Sequence, residues 1–166
     1  MKNIALIRID SRMVHGQIVT MWMKHVPTKR ILVADDEAMN NELVKQMFSL
    51  AAPGVKVQVY DIDGFVEQWK KNEFADLAPN LCIFKGIPQM YEAYQKGFQI
   101  DALQIGGIAS GPDRKVVTGS IAISEEEADI LNQLTKDGVK ITFQMIPNHR
   151  AVDWNNIKAK HFAHLS

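Results

Sequence analysis

The stretch Ile7-Arg8-Ile9-Asp10-Ser11-Arg12-Met13-Val14-His15-Gly16-Gln17-Ile18 gathers the residue types that can do covalent chemistry in this chain. An apolar run ends at Asp10, a polar turn follows, and a helical pattern begins near Gly16. His15 therefore stands at a strand-to-helix junction, where unpaired backbone N–H groups and the positive end of a helix favour an anion. Arg8 and Arg12 add two permanent positive charges. An imidazole has an ordinary pKa of about 6.5, so much of it is an uncharged nucleophile at neutral pH. Two arginines and a helix start are expected to hold it neutral and to attract phosphate. An ion pair at about 4 Å near a surface is worth on the order of 4 kcal/mol before desolvation. Arginine presents a planar fork to phosphate oxygens. Gly16 lets the backbone come close, and Gln17 adds a further polar contact. Asp10 reads as a turn residue or a partner for Arg8 or Arg12. Together these parts can accept and pass on a phosphoryl group, a reaction governed by positioning and electrostatics.

The elements that must hold this segment alternate along the chain. Residues 4–9 read as a first strand. Val14, Ile18, Trp22 and Val26 follow at helical spacing until Pro27. Residues 31–33 form a short buried strand, and Val44, Met47, Phe48 and Ala51 mark a helix stopped by Pro53-Gly54. Val55, Val57 and Val59 alternate as a strand, and Asp61 or Asp63 can cap the helix carrying Ile62, Phe65, Val66 and Trp69. Residues 81–84 form a strand, Pro88 opens a helix ending near Gly97, and residues 102–105 run as a strand into Gly106-Gly107. A strand pair is expected at residues 115–117 and 120–123. Ser124 and Glu127 make a capping box for a helix closed by Gly138, the last strand spans 139–146, and a short helix is expected around residues 154–160. Strands separated by helices call for an α/β fold: a doubly wound, mostly parallel sheet with helices on both faces and the active loop after strand one. The ligand-binding rim of such a sheet lies at the carboxyl ends of the strands. His15, Asp35-Asp36 and Gly106-Gly107 all fall there.

Composition narrows the function classes. The chain has 166 residues with 19 basic and 19 acidic side chains, so broad electrostatic binding to nucleic acid is disfavoured. Its length suits one domain over residues 1–166. The lone Cys82, inside Leu81-Cys82-Ile83-Phe84, cannot form an internal disulfide and fits a reducing compartment. Met1-Lys2-Asn3 leads straight into a strand rather than a signal sequence, and no run approaches the roughly 20 apolar residues of a membrane span. A cytoplasmic location follows as the expectation. Gly106-Gly107 with Gly111 matches neither a dinucleotide fingerprint nor a P-loop and reads as a tight turn. Asp35 and Asp36 read as a strand-end turn and helix cap, with a hold on the Arg8–Arg12 loop as the alternative. His161 and His164 lack a third ligand, so no metal site is expected. The main rival is a signalling receiver domain phosphorylated on aspartate. Asp61 could serve as its middle aspartate, but Asp35-Asp36 and Lys85, the candidates for its acidic pair and lysine, fall in the wrong places.

The first motif closely resembles the active loop of the enzyme IIB component of the mannose/sorbose group of the bacterial sugar phosphotransferase system. Val33-Ala34-Asp35-Asp36-Glu37-Ala38, Leu103-Gln104-Ile105-Gly106-Gly107-Ile108, and Gly138-Val139 with Gln144-Met145-Ile146-Pro147 resemble other landmarks of that family. Ser11 departs from it, since aspartate is common there. The resemblance implies that His15 is phosphorylated, at Nδ1, by an enzyme IIA partner and passes the group to a sugar held by the membrane IIC and IID permease. It also implies no cofactor beyond the phosphoryl group carried by His15, peripheral association with the inner face of the membrane through the permease, and a homodimer as one option.

Overall fold

The computed structural model describes residues 1–165 and contains a seven-stranded sheet in the order β3-β2-β4-β1-β5-β8-β9. Its strands are β1 (Ile4–Asp10), β2 (Arg30–Ala34), β3 (Lys56–Tyr60), β4 (Asn80–Phe84), β5 (Ala102–Gly107), β8 (Lys140–Phe143) and β9 (Val152–Asp153). All neighbours run parallel except β8 and β9. A separate antiparallel pair, β6 (Lys115–Thr118) and β7 (Ile121–Ile123), lies outside this sheet. The helices are α1 (Met23–His25), α2 (Asp36–Met39), α3 (Glu42–Ala51), α4 (Ile62–Asn72), α5 (Ile87–Gln95), α6 (Glu125–Lys136) and α7 (Trp154–His161).

Strand periodicity divides the core in two. Leu32, Ala34, Cys82, Phe84, Ile105 and Phe143 point to one face, where α4, α5, α6 and α7 cover them. Ile31, Val33, Leu81 and Ile83 point to the other, beneath Val14, Ile18, Trp22, Ala38 and Phe48. The sheet is therefore doubly wound. β2 and β4 are buried throughout, which is why they read as unbroken apolar runs. The first core contains an aromatic cluster in which Phe65 meets Phe74, Phe84 and Phe98 at centroid distances of 5.0, 5.2 and 4.9 Å. Burial of Cys82 drives its thiol pKa up and leaves it unreactive.

The caps explain most helix starts. Asp61 accepts from the Gly64 N–H at 2.7 Å, so Asp61 rather than Asp63 opens α4. Ser124 and Glu127 form the reciprocal capping box of α6. Four features differ from the sequence reading. The helix after β1 begins with a π-helical turn, Ile18–Trp22, before α1, and Val14 lies in the loop ahead of it. The short α2 and the two-residue β9 carry too few residues to show a period. β5 continues through Gly107, so Gly106 and Gly107 end a strand instead of making a turn. β8 stops at Phe143, because the carbonyls of Gln144 and Met145 are taken by an arginine side chain.

The chain leaves β1 toward β2 on one side and leaves β5 toward β8 on the other, so a crevice opens between the carboxyl ends of β1 and β5. The aromatic cluster lies away from this crevice and contributes to stability. Phe65→Ala is expected to cost about 3–5 kcal/mol, read as a lower urea midpoint with an unchanged slope.

Candidate functional site

β1 turns over at Asp10 by two short-range bonds and one to a neighbouring strand. The Met13 N–H donates to the Asp10 carbonyl (2.9 Å) and the Arg12 N–H to Asp10 Oδ1 (3.1 Å). The Ser11 N–H donates to the Gly107 carbonyl (2.8 Å), tying the loop to β5. The backbone of Ser11 makes this tie, so it does not depend on the side chain at this position. Met13 adopts φ 57°, a left-handed conformation that non-glycine residues rarely take. It reverses the chain, and its side chain and that of Val14 sink into the second core. His15 is thereby folded back over the end of β1.

The ring of His15 meets Asp10: Nε2 and Asp10 Oδ2 are 2.9 Å apart, and the ring is 15 % exposed while the Asp10 side chain is wholly enclosed. Burial pushes the Asp10 pKa up. The hydrogen bond and charge of His15, the Arg12 N–H and the charge of Arg8 outweigh it and hold the carboxyl below its ordinary range. An ionised carboxylate only accepts, so the proton in this bond belongs to Nε2, and in the neutral ring the lone pair is then on Nδ1. Nδ1 meets no hydrogen-bond partner among the described residues and is not fully buried. The charged group in hydrogen-bond contact with the ring is therefore an anion, where the sequence led us to expect positive surroundings.

The two arginines part company. Arg12 stays on the rim, 55 % exposed, with Nη2 donating to Gln17 Oε1 (2.9 Å) and Nε 3.7 Å from Asp10 Oδ1. Arg8 is buried, contrary to the expectation of a phosphate-facing side chain. Strand alternation puts it on the same face as Asp10, two residues on. Its guanidinium donates to Gln104 Oε1 and to the carbonyls of Gln144 (2.9 Å) and Met145 (2.8 Å), stacks 4.7 Å from the Trp22 ring centroid, and lies 3.5 Å from Asp10 Oδ2. Burial lowers its pKa to about 10, against the opposing charge and hydrogen bond of Asp10. Gln104, Trp22, Gln144 and Met145 were not picked out as site residues. The two-residue spacing of Arg8 and Asp10 was the available signal.

Gly106 and Gly107 have a steric role. A Cβ on Gly106 would fall inside the Arg8 guanidinium, and one on Gly107 would lie 3.2 Å from Asp10 Oδ1. Gly16 is different, since a Cβ there meets nothing within 4 Å. The Ile18 N–H donates to the His15 carbonyl (3.0 Å), so the N–H groups just before it have no helical partner. Beside the loop a cleft is lined by Ser11, Arg12, Gln17, Ala109, Ser110 and Ser120. Asp35 and Asp36 are elsewhere engaged. Asp35 caps α2 through the Ala38 N–H (2.8 Å), and Asp36 accepts from the Ile62 N–H (2.9 Å). Lys85 pairs with Glu37 at 2.8 Å. Among the described residues no three acidic or metal-ligating side chains come together to hold a metal ion, as a receiver domain would need. His164 pairs with Glu125 (3.0 Å), and Lys158 reaches Asn132 (3.1 Å). No helix of the described residues is long and apolar enough to cross a membrane.

The depressed pKa of Asp10 has a sign. Its stabilisation is present above the ordinary carboxylate value of about 3.9 and is lost as pH falls through the lower folded value. Asp10→Asn also leaves Arg8 with no buried counter-charge, a loss of about 3 kcal/mol. Urea titrations should show the gap between wild type and Asp10→Asn narrowing below roughly pH 4.

Residues 4–166 match the model of the family described as PTS system sorbose subfamily IIB component. The chain is 29 % identical over 152 residues to the sorbose-specific EIIB component of Klebsiella pneumoniae, covering 91 % of this chain and 92 % of that one. The mannose-specific EIIAB component of Escherichia coli K12 is 25 % identical over 144 residues, which span 86 % of this chain and 44 % of that longer protein. Among solved structures, manxB from Thermoanaerobacter tengcongensis superposes with a TM-score of 0.87 at 35 % identity over 96 % of both chains. The IIBSor domain of the Klebsiella pneumoniae sorbose permease does so with 0.86 at 27 %, over 96 % of this chain and 98 % of that one. This chain belongs to the mannose/sorbose family of IIB components of the sugar phosphotransferase system, a family of phosphotransferases in sugar transport.

Proposed function

We propose that His15 is the phosphoryl carrier of this IIB component, using Nδ1. The observation that carries this reading is a ring whose Nε2 is engaged by a buried, ionised carboxylate while Nδ1 is unpartnered and not fully buried. The Nδ1 lone pair attacks the phosphorus of a phosphohistidine on the IIA partner. The donor's P–N bond breaks as the new one forms, and the donor imidazole keeps the electron pair. In the second step the hydroxyl of a sugar bound by the IIC/IID permease attacks the same phosphorus, the P–Nδ1 bond breaks, and the hydroxyl proton passes to a base at the permease. The phosphoryl group rides covalently, and these residues use no other cofactor.

Arg12 supplies the charge that the transferring group needs. It is the exposed guanidinium beside the ring, and Gln17 steadies it while leaving Nη1 free. The partnerless N–H groups at the start of the helical segment, Gly16 among them, add donors on the same side. Arg8 and Asp10 support the ring from beneath. The similarity to an EIIAB protein, in which IIA and IIB are joined, supports a IIA partner. Relatives named for sorbose, fructose and mannose support a sugar of that class, chosen by the permease that holds it.

The test is labelling through a phosphoenolpyruvate-driven relay with the purified chain. Wild type should take up one phosphoryl group per chain in a linkage lost in acid and kept in base, and His15→Ala should take up none. Stoichiometric label on His15→Ala, or an acyl-phosphate pattern lost in both acid and base, would overturn the reading. Arg12→Ala should slow transfer by roughly 10²–10³-fold with the thermal midpoint nearly unchanged, because that side chain is largely exposed. Equal losses in rate and stability would make Arg12 structural.

A further inference from the structure

We propose that Arg8 is a positioning residue that determines which nitrogen of His15 is nucleophilic, acting through Asp10, and that Gly106 is glycine to admit it. This rests on the phosphocarrier reading for its consequence, but its physical content concerns the unphosphorylated ring.

Every partner of the Arg8 guanidinium other than Asp10 is neutral: the Gln104 side chain, the carbonyls of Gln144 and Met145, and the face of Trp22. Met145 O also accepts from Trp22 Nε1 at 3.1 Å, so one carbonyl fixes both the cation and the ring stacked on it. The guanidinium is thus held in place by groups that cannot discharge it, 3.5 Å from an enclosed carboxylate. Its position also needs the missing side chain of Gly106, whose Cβ would occupy the same space.

The enclosed Asp10 carboxylate needs compensation. The charged groups that face it are Arg8 from β1, Arg12 from the loop and His15 itself; β5 faces it with Gly107. Arg12 is exposed and screened, which leaves Arg8 as the permanent buried charge. Take it away, and the site can restore balance in two ways. Asp10 can take a proton and donate it to Nε2, which forces the ring's own proton onto Nδ1. Alternatively the ring can take a second proton and become imidazolium. In both cases Nδ1 carries a proton and has no lone pair to offer. A neighbouring cation thus keeps a histidine reactive by charging the carboxylate behind it.

The experiment is the two-bond ¹H–¹⁵N spectrum of ¹⁵N-histidine-labelled, unphosphorylated protein between pH 6 and 9. Wild type should show the neutral Nε2–H pattern for His15 at pH 8. Arg8→Met should show Nδ1 protonated in a large fraction of molecules there. Its rate of phosphoryl acceptance from the relay should fall at least tenfold at pH 7, with the pH–rate profile moved upward. Arg8→Lys should restore much of both, which mere space filling would not. Should Arg8→Met fail to fold, Gly106→Ala carries the test, since the added methyl displaces the guanidinium without removing its charge from the protein. A folded Arg8→Met or Gly106→Ala with the wild-type ring pattern overturns the proposal. A wild-type chain that accepts no phosphoryl group at all would sink the carrier reading instead and leave the ring pattern to decide the role of Arg8.

Discussion

A carboxylate shut inside the protein at the end of a β-strand must be paired, and the way Asp10 is paired organises everything around it. One oxygen draws in the Arg12 N–H and so closes the turn after β1; the other holds His15. The buried Arg8 behind it brings in Gln104 of β5 and the segment after β8. One anion therefore ties β1, β5, β8 and the active loop into a single unit. A buried pair of this kind is weak ground for net stability, because desolvation consumes most of the attraction. Its value is geometric: few other arrangements satisfy all of these groups at once.

The doubly wound sheet explains why this unit lies at an edge that a partner protein can reach. The connections of β1 and β5 depart to opposite sides, so no helix covers the crevice between their carboxyl ends. Helices on both faces hold the strands rigidly beneath, through two separate apolar cores. The proposed carrier role would require the same atom to be presented to two partners in turn, and a site mounted on a stiff rim keeps its geometry through both encounters. The left-handed Met13 fits that demand. Its unfavourable backbone is offset by the burial of its side chain and that of Val14, and the reversal aims the ring at Asp10.

Most of the architecture was legible along the chain. The unbroken apolar runs of β2 and β4, the capping box at Ser124 and Glu127, and Pro88 in the first turn of α5 each carry local physics strong enough to read directly. The π-helical turn after Gln17 was not legible, because apolar residues four apart fit it as well as they fit an α-helix. Nor was β9, whose two residues pair with β8 through backbone groups that any sequence supplies.

The same division runs through the site. His15, its loop after β1 and the exposed Arg12 follow from residue type and spacing, since a turn and a helix start are decided by neighbours a few positions apart. The burial of Arg8, the demand for Gly106 and Gly107, and the choice of Asp10 over a second arginine as the ring's closest companion depend on β1 lying beside β5. That adjacency joins residues nearly a hundred positions apart, and the Gln144 contact spans 136. Strand order is set by how two apolar faces pack, which no short window of sequence contains; hence the chain alone marked the candidate histidine, and only the tertiary structure decided what holds it.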